Sequence, residues 1–356
     1  MYRSRGLETQ MLATRRAAQA QLTSSSFNGD AVPPQSASAG PRPRPLALRA
    51  RCPHVRAAVP QEGPHPLAAA LPLRNKRVML TAPRQYAGRL ASLLITAGAA
   101  PVWLPGIEIT RLSGGQCGEL DAALGSLSSF DLLAFTSKNG IYAVMGRLQA
   151  LRGGPEAAVA HMRESGVKLC ALGADGKVLR REFGLEVTVS PPEASTQGLV
   201  AELRRRGLAQ GARVLAPVPL VTGGLQEPPV VPRFMAALEA AGAAPTRVPA
   251  YLTTPGLPGQ AGLAACAAER ALLREGGIHA IVFSSTAEAQ GLCRLMGGRG
   301  ALADAVAAHR VVLAAHGPYT AAGAEDVLGL PVPVVSKRFS TFEGVVSALA
   351  EAIHAE

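Results

Sequence analysis

Hydroxyl side chains recur where apolar runs give way to helix-like segments. They are Thr136-Ser137, Ser195-Thr196, Ser284-Ser285-Thr286, Thr320 and Ser340-Thr341. In a parallel αβ sheet such positions fall on the carboxyl edge of the strands, where ligands bind. Each helix that follows begins with unpaired backbone N–H groups and partial positive charge. A set of such turns facing a shared gap binds anions without needing many Lys or Arg. Each charge-assisted bond to a carboxylate contributes roughly 1.5–3 kcal/mol. Taken singly, any of these residues could serve only to cap its helix. Taken as a set, they point to ligand binding. One phenol stands apart. Tyr251 lies in the extended stretch Pro249-Ala250-Tyr251-Leu252-Thr253-Thr254, where it could give a proton or hydrogen bond to a ligand. Its alternative role is packing in a linker.

Other chemistries lack their signatures. There is no G-x-x-x-x-G-K-[ST] loop, and no G-x-G-x-x-G between a strand and a helix. Gly297-Gly298-Arg299-Gly300 follows a helical segment and reads as a loop. Ser137 is not in a G-x-S-x-G elbow. The five cysteines (52, 117, 170, 266 and 293) form no C-x-x-C pair, and the seven histidines show no metal-ligand spacing. Neither a metal nor a cofactor is expected.

The elements that must position these residues repeat themselves. Arg77-Val78-Met79-Leu80 opens a unit that reaches Ala97-Gly98-Ala99-Ala100-Pro101; Arg213-Val214-Leu215-Ala216-Pro217 opens another that reaches Ala241-Gly242-Ala243-Ala244-Pro245. A second kind of unit follows each. Phe135-Thr136-Ser137 matches Phe283-Ser284-Ser285, and Phe183-Gly184-Leu185 matches Leu328-Gly329-Leu330. Phe135 to Ser195 is 60 residues and Phe283 to Ser340 is 57. Apolar runs such as Asp131–Phe135 and Ala280–Phe283 read as buried parallel strands, and they alternate with amphipathic helices. The fold class is therefore α/β: two similar parallel-sheet, flavodoxin-like lobes joined by a two-stranded crossing, with a ligand cleft between them. Lobe one is 75–104 plus 257–356, lobe two is 110–246, and the crossing strands are 105–109 and 247–256.

Formal net charge is +11, but residues 1–76 alone hold 11 Lys/Arg against 3 Asp/Glu. The basic excess thus sits mainly in a leader, and aromatic content of 4% offers little for base stacking, so no nucleic acid is expected. No apolar run is long enough for a membrane span. Residues 1–74 are Arg- and Ser-rich and acid-poor, the pattern of a disordered organelle transit peptide.

The Phe-Thr-Ser-Lys-Asn-Gly turn at 135–140, Phe-Ser-Ser-Thr at 283–286, Ala-Tyr-Leu-Thr-Thr at 250–254, and Gly317-Pro318-Tyr319-Thr320-Ala321 followed by Gly329-Leu330 together resemble the uroporphyrinogen-III synthase family. The resemblance spans about residues 77–353. It implies a cofactor-free enzyme that closes hydroxymethylbilane, a linear tetrapyrrole with eight carboxylates, to uroporphyrinogen III. Water is lost and the last ring inverts through a spiro intermediate. It further implies that Tyr251 is catalytic and helps the hydroxyl leave. Thr136, Ser137, Ser284, Ser285, Pro318, Tyr319 and Thr320 are implied as substrate contacts. A monomer in the plastid stroma is implied, with transient contact to hydroxymethylbilane synthase. The alternative on the same frame is a non-catalytic tetrapyrrole-binding protein.

Some stretches depart from the family pattern. Pro217–Pro232, with five prolines, reads as a loop insertion. Gly173-Ala174-Asp175-Gly176 lacks a hydroxyl, and Asp175 is expected to point away from a polyanion. Arg84, at the end of the first strand, is a further candidate for a carboxylate contact.

Overall fold

Two five-stranded sheets organise the chain in the computed structural model, which describes residues 71–339 and 341–354. The first half of the chain holds β1 (Arg77–Leu80), α1 (Arg84–Thr96), β2 (Ala100–Trp103), β3 (Ile107–Arg111), α2 (Gly118–Gly125), β4 (Leu132–Phe135), α3 (Lys138–Arg152), α4 (Pro155–Glu164), β5 (Lys168–Ala171), α5 (Asp175–Phe183) and α6 (Thr196–Arg205). Then come β6 (Arg213–Val221), α7 (Val230–Ala240), β7 (Ala244–Pro255), α8 (Gly259–Ala265), α9 (Ala267–Arg274), β8 (Ala280–Phe283), α10 (Thr286–Met296), α11 (Arg299–Ala308), β9 (Val312–Ala315), α12 (Pro318–Leu328), β10 (Val334–Val335) and α13 (Phe342–His354).

The sequence repeat becomes a topological one. The first sheet runs β10-β9-β8-β1-β2, all parallel. The second runs β3-β7-β6-β4-β5. Read from β5, it gives the same succession as β9-β8-β1-β2, with β3 added antiparallel at the far edge. Where the first sheet has β10, the second has only an isolated parallel bridge, Val189 to Cys170.

Alternation along the strands explains the layers. Met79, Ile281 and Phe283 pack on one face of the first sheet, while Val78, Leu80, Ala280 and Val282 pack on the other. Leu133, Phe135 and Leu215 face one core of the second sheet, and Leu132, Ala134, Val214 and Ala216 face its other core. Successive side chains point to opposite faces, so a strand that is apolar at every position needs helices on both sides.

Three expectations change. The two-stranded crossing is present, but its strands span Ile107–Arg111 and Ala244–Pro255 where 105–109 and 247–256 were expected. β3 pairs with β7 from Ile107↔Pro255 to Arg111↔Tyr251, and β7 also runs parallel to β6 from Arg213↔Ala244 to Val221↔Thr253. Both segments therefore extend the second sheet. The stretch 217–232 is not simply a loop, because β6 continues through Pro217 and Pro219 to Val221 and α7 begins at Val230. Prolines are tolerated there because β4 leaves β6 after Leu215, freeing that edge, and the register shifts between Val218 and Pro219. The body also begins before Asn75: Leu73 is fully buried, and its N–H donates to the Ala97 carbonyl at 2.8 Å. The rest of the leader reading, residues 1–70, lies outside the described residues, as does Ser340.

Where the chain leaves β2 for β3 it presses against α10. A Cβ at Gly291 would overlap the Gly106 carbonyl, and one at Gly106 would overlap the backbone of Glu288. Only glycine permits that approach. It seats the start of α10 directly beside the crossing.

Candidate active site

A cleft of about 680 Å³ lies between the sheets' carboxyl edges. Lobe two contributes Thr136, Ser137, Lys138, Asn139, Gly173–Asp175 and the start of α6, while lobe one contributes Tyr86, Ser284–Glu288, His316, Tyr319 and Thr320. Tyr251, Thr253, Ile107 and Ile109 line it from the β3–β7 ladder. The hydroxyl turns thus converge with Tyr251. Pro318 opens the first turn of α12 but does not line the cleft.

Tyr251 is 9% exposed, and its hydroxyl lies 3.2 Å from Ser137 Oγ. Burial pushes the phenol up, the Ser137 hydrogen bond pulls it down, and Asp175 pushes it up further. It therefore keeps its proton at neutral pH and can act as an acid, not a base. Ser137 is also the N-cap of α3, accepting from the Gly140 N–H at 3.3 Å. Its own hydrogen remains available to the phenol oxygen.

The matching turn of lobe one differs. Glu288, on the first turn of α10, is buried, with 1% exposure. Its Oε2 accepts from the Ser284 N–H at 2.9 Å and from Thr81 Oγ1 at 2.8 Å. Its Oε1 accepts from Ser285 Oγ at 3.1 Å and, more closely, from Ser284 Oγ. Thr81 has one hydroxyl hydrogen for two acceptors, because the Val282 carbonyl is also 3.0 Å away. A proton on Glu288 resolves that conflict, and burial pushes this carboxyl up against the opposing hydrogen bonds. α10 has no side-chain cap.

The remaining candidates divide. Thr320 Oγ1 leans on the Ser284 carbonyl at 3.4 Å, and Tyr319 is 52% exposed at the cleft. Ser195 is committed to structure, accepting from Gly198 N–H at 2.9 Å and donating to Glu193 at 2.7 Å. Arg84 lies over the Trp103 ring, 5.1 Å from its centroid, and does not line the cleft.

Asp175 overturns its expectation, since it lines the cleft. Burial raises its carboxyl to about 6, against the pull of Lys138, whose Nζ is 4.0 Å away. A carboxyl that readily takes a proton repels a polyanion less than a fixed charge would, and this makes the position tolerable.

Sequence reasoning gave no role to three further residues. Tyr86 donates to Asn139 Oδ1 at 2.8 Å, tying α1 of lobe one to α3 of lobe two. His316 packs against Phe342 with centroids 5.1 Å apart; burial lowers its pKa and its Nδ1 has no partner. Glu288 stands three residues after Ser285, the S-x-x-E spacing of a capping box. That spacing could have flagged it.

The likeness to known proteins is consistent. The family profile described as uroporphyrinogen-III synthase HemD matches residues 88–346. A uroporphyrinogen-III synthase of Synechococcus elongatus is 27% identical over 287 residues, covering 80% of this chain and 97% of its own. The crystal structure of a mutant uroporphyrinogen III synthase from the extremely thermophilic bacterium Thermus thermophilus superposes with a TM-score of 0.51 at 19% identity, covering 79% of this chain and 100% of that one. That superposition shows a shared fold. The profile spans well over half of the sequence, and the chain belongs to the uroporphyrinogen-III synthase family.

Proposed function

We propose that this protein closes hydroxymethylbilane to uroporphyrinogen III, losing one water and inverting the last ring. The observation that carries the reading is the Tyr251–Ser137 pair, 3.2 Å apart, within a cleft lined by helix starts from both lobes. Those starts offer backbone N–H groups to the substrate's carboxylates. Holding both ends of a flexible chain together supplies catalysis by orientation. At the departing hydroxyl, Tyr251 gives its proton as the carbon–oxygen bond breaks and water leaves. A hydrogen bond from Ser137 steadies the phenolate. The net reaction releases water and no proton, so the proton lost when the closed ring regains its aromatic pyrroles restores the phenol. Thr136, Ser284, Ser285, Tyr319 and Thr320 contact substrate from the two edges. Pro318 acts only by shaping its turn.

The test supplies freshly generated hydroxymethylbilane to the full chain and separates the product isomers. Isomer III well above the uncatalysed isomer I is expected. Isomer I alone would leave a binding protein.

The leader's Arg- and Ser-rich, acid-poor composition supports a plastid stromal location, and a reporter fused to residues 1–74 should enter plastids. A monomer that meets hydroxymethylbilane synthase transiently suits an unstable substrate. Sedimentation with and without that enzyme measures both.

A further inference from the structure

We infer that Glu288 reverses the polarity of the Ser284–Ser285 turn, so that both hydroxyl oxygens accept hydrogen bonds from pyrrole N–H groups of the bilane instead of donating to its carboxylates. The inference rests on the hydroxymethylbilane reading above.

A serine hydroxyl has one hydrogen and two lone pairs. Both hydrogens in this turn are directed at the same Glu288 oxygen. The Ser284 N–H is also engaged by Glu288. Yet both residues are partly exposed and line the cleft. What they offer a ligand is therefore lone pairs. Facing a carboxylate, those would repel. Facing a donor, they bind.

The substrate class needs such acceptors. Helix starts provide N–H donors, which suit eight carboxylates and leave four pyrrole N–H groups unmatched. A donor enclosed without an acceptor weakens binding. Lobe two does not solve this at Ser137, whose oxygen already takes the Gly140 N–H and meets Tyr251. Glu288 is a positioning residue here. It touches the two serines and Thr81, and it sets which way the hydroxyls point.

The experiment makes uroporphyrinogen from 15N-labelled porphobilinogen and records the pyrrole N–H resonances bound to the full chain. At least one N–H resonance should move downfield in the wild-type complex and return in Ser284→Ala/Ser285→Ala. The double variant should also raise KM for hydroxymethylbilane about 10-fold, the loss expected of two neutral hydrogen bonds, with kcat nearly unchanged. Glu288→Ala, which frees the hydroxyls to turn but keeps their lone pairs, should give a smaller loss in the same direction. Glu288→Gln keeps one oxygen toward the serines and should restore the shifted resonance. If Glu288→Ala does not fold, the serine double variant and Glu288→Gln decide alone. Identical N–H spectra in wild type and the double variant would overturn the inference. So would a shifted resonance that persists without the serines. A wild-type chain that makes no isomer III would instead defeat the functional reading, and the two failures are separable.

Discussion

The turns after β4 and after β8 occupy equivalent places in the two lobes, begin with the same kind of residues, and do opposite things. Ser137 accepts from the first turn of its own helix and faces Tyr251. Ser285, at the matching cap position, gives its hydrogen to Glu288 and leaves α10 uncapped. One residue, a carboxyl on the first turn of α10, separates the two cases. A duplicated scaffold can thus present donors on one rim and acceptors on the other without changing its fold.

Removing Glu288 should have the largest effect. Its buried carboxyl accepts from the Ser284 N–H and from both serine hydroxyls and is bonded to Thr81 Oγ1, and Glu288→Ala leaves all four groups without their partner. A loss of about 3–4 kcal/mol in urea denaturation is expected. A loss under about 1 kcal/mol would mean that the two turns are interchangeable. Asp175 comes next, through pH. Its folded-state pKa of about 6 lies above the ordinary 3.8, so between those values the folded chain holds a proton the unfolded chain has released. Stability therefore falls as pH rises from about 4 to 6 and stays lower above. The contribution is about 3 kcal/mol. Asp175→Asn should flatten that slope and raise Tm at pH 8, with little change at pH 4.

Much of this comparison was legible in the residues. Four-residue apolar runs such as Leu132–Phe135 have few alternatives to a strand buried on both faces, and the duplication announced two similar sheets, though not the order of their strands. Hydroxyls before helices located the cleft rims. What escaped was set by tertiary geometry. Pro217 and Pro219 read as breakers, yet they extend β6 because its neighbour ends early. Asp175 looked out of place beside a polyanion, and only burial, which lets it take a proton, reconciles it with the cleft. The direction of a serine hydroxyl depends on a partner three residues on and on Thr81, some two hundred positions away. No local pattern carries that.

Tyr251→Phe sharpens the catalytic side of the comparison. Turnover should fall about 10-fold or more with little change in stability, because the ring remains and only the hydroxyl is lost. An unchanged rate in the coupled assay would remove Tyr251 from proton donation and leave it a packing residue beside Ser137.

The smallest effects divide the two serines most directly. Ser137→Ala removes a cap from α3 and should cost about 1 kcal/mol. Ser285→Ala removes no cap, and Ser284 still donates to the same Glu288 oxygen, so roughly 0.5 kcal/mol or less is expected. The kinetic signatures should part as well. Loss of Ser137 leaves the phenolate of Tyr251 unsupported and lowers kcat, whereas loss of Ser285 removes an acceptor for the ground-state ligand and raises KM. Equal stability losses and matching kinetics in the two variants would mean that both hydroxyls cap their helices alike, and the polarity assigned to the lobe-one turn would fall with that result.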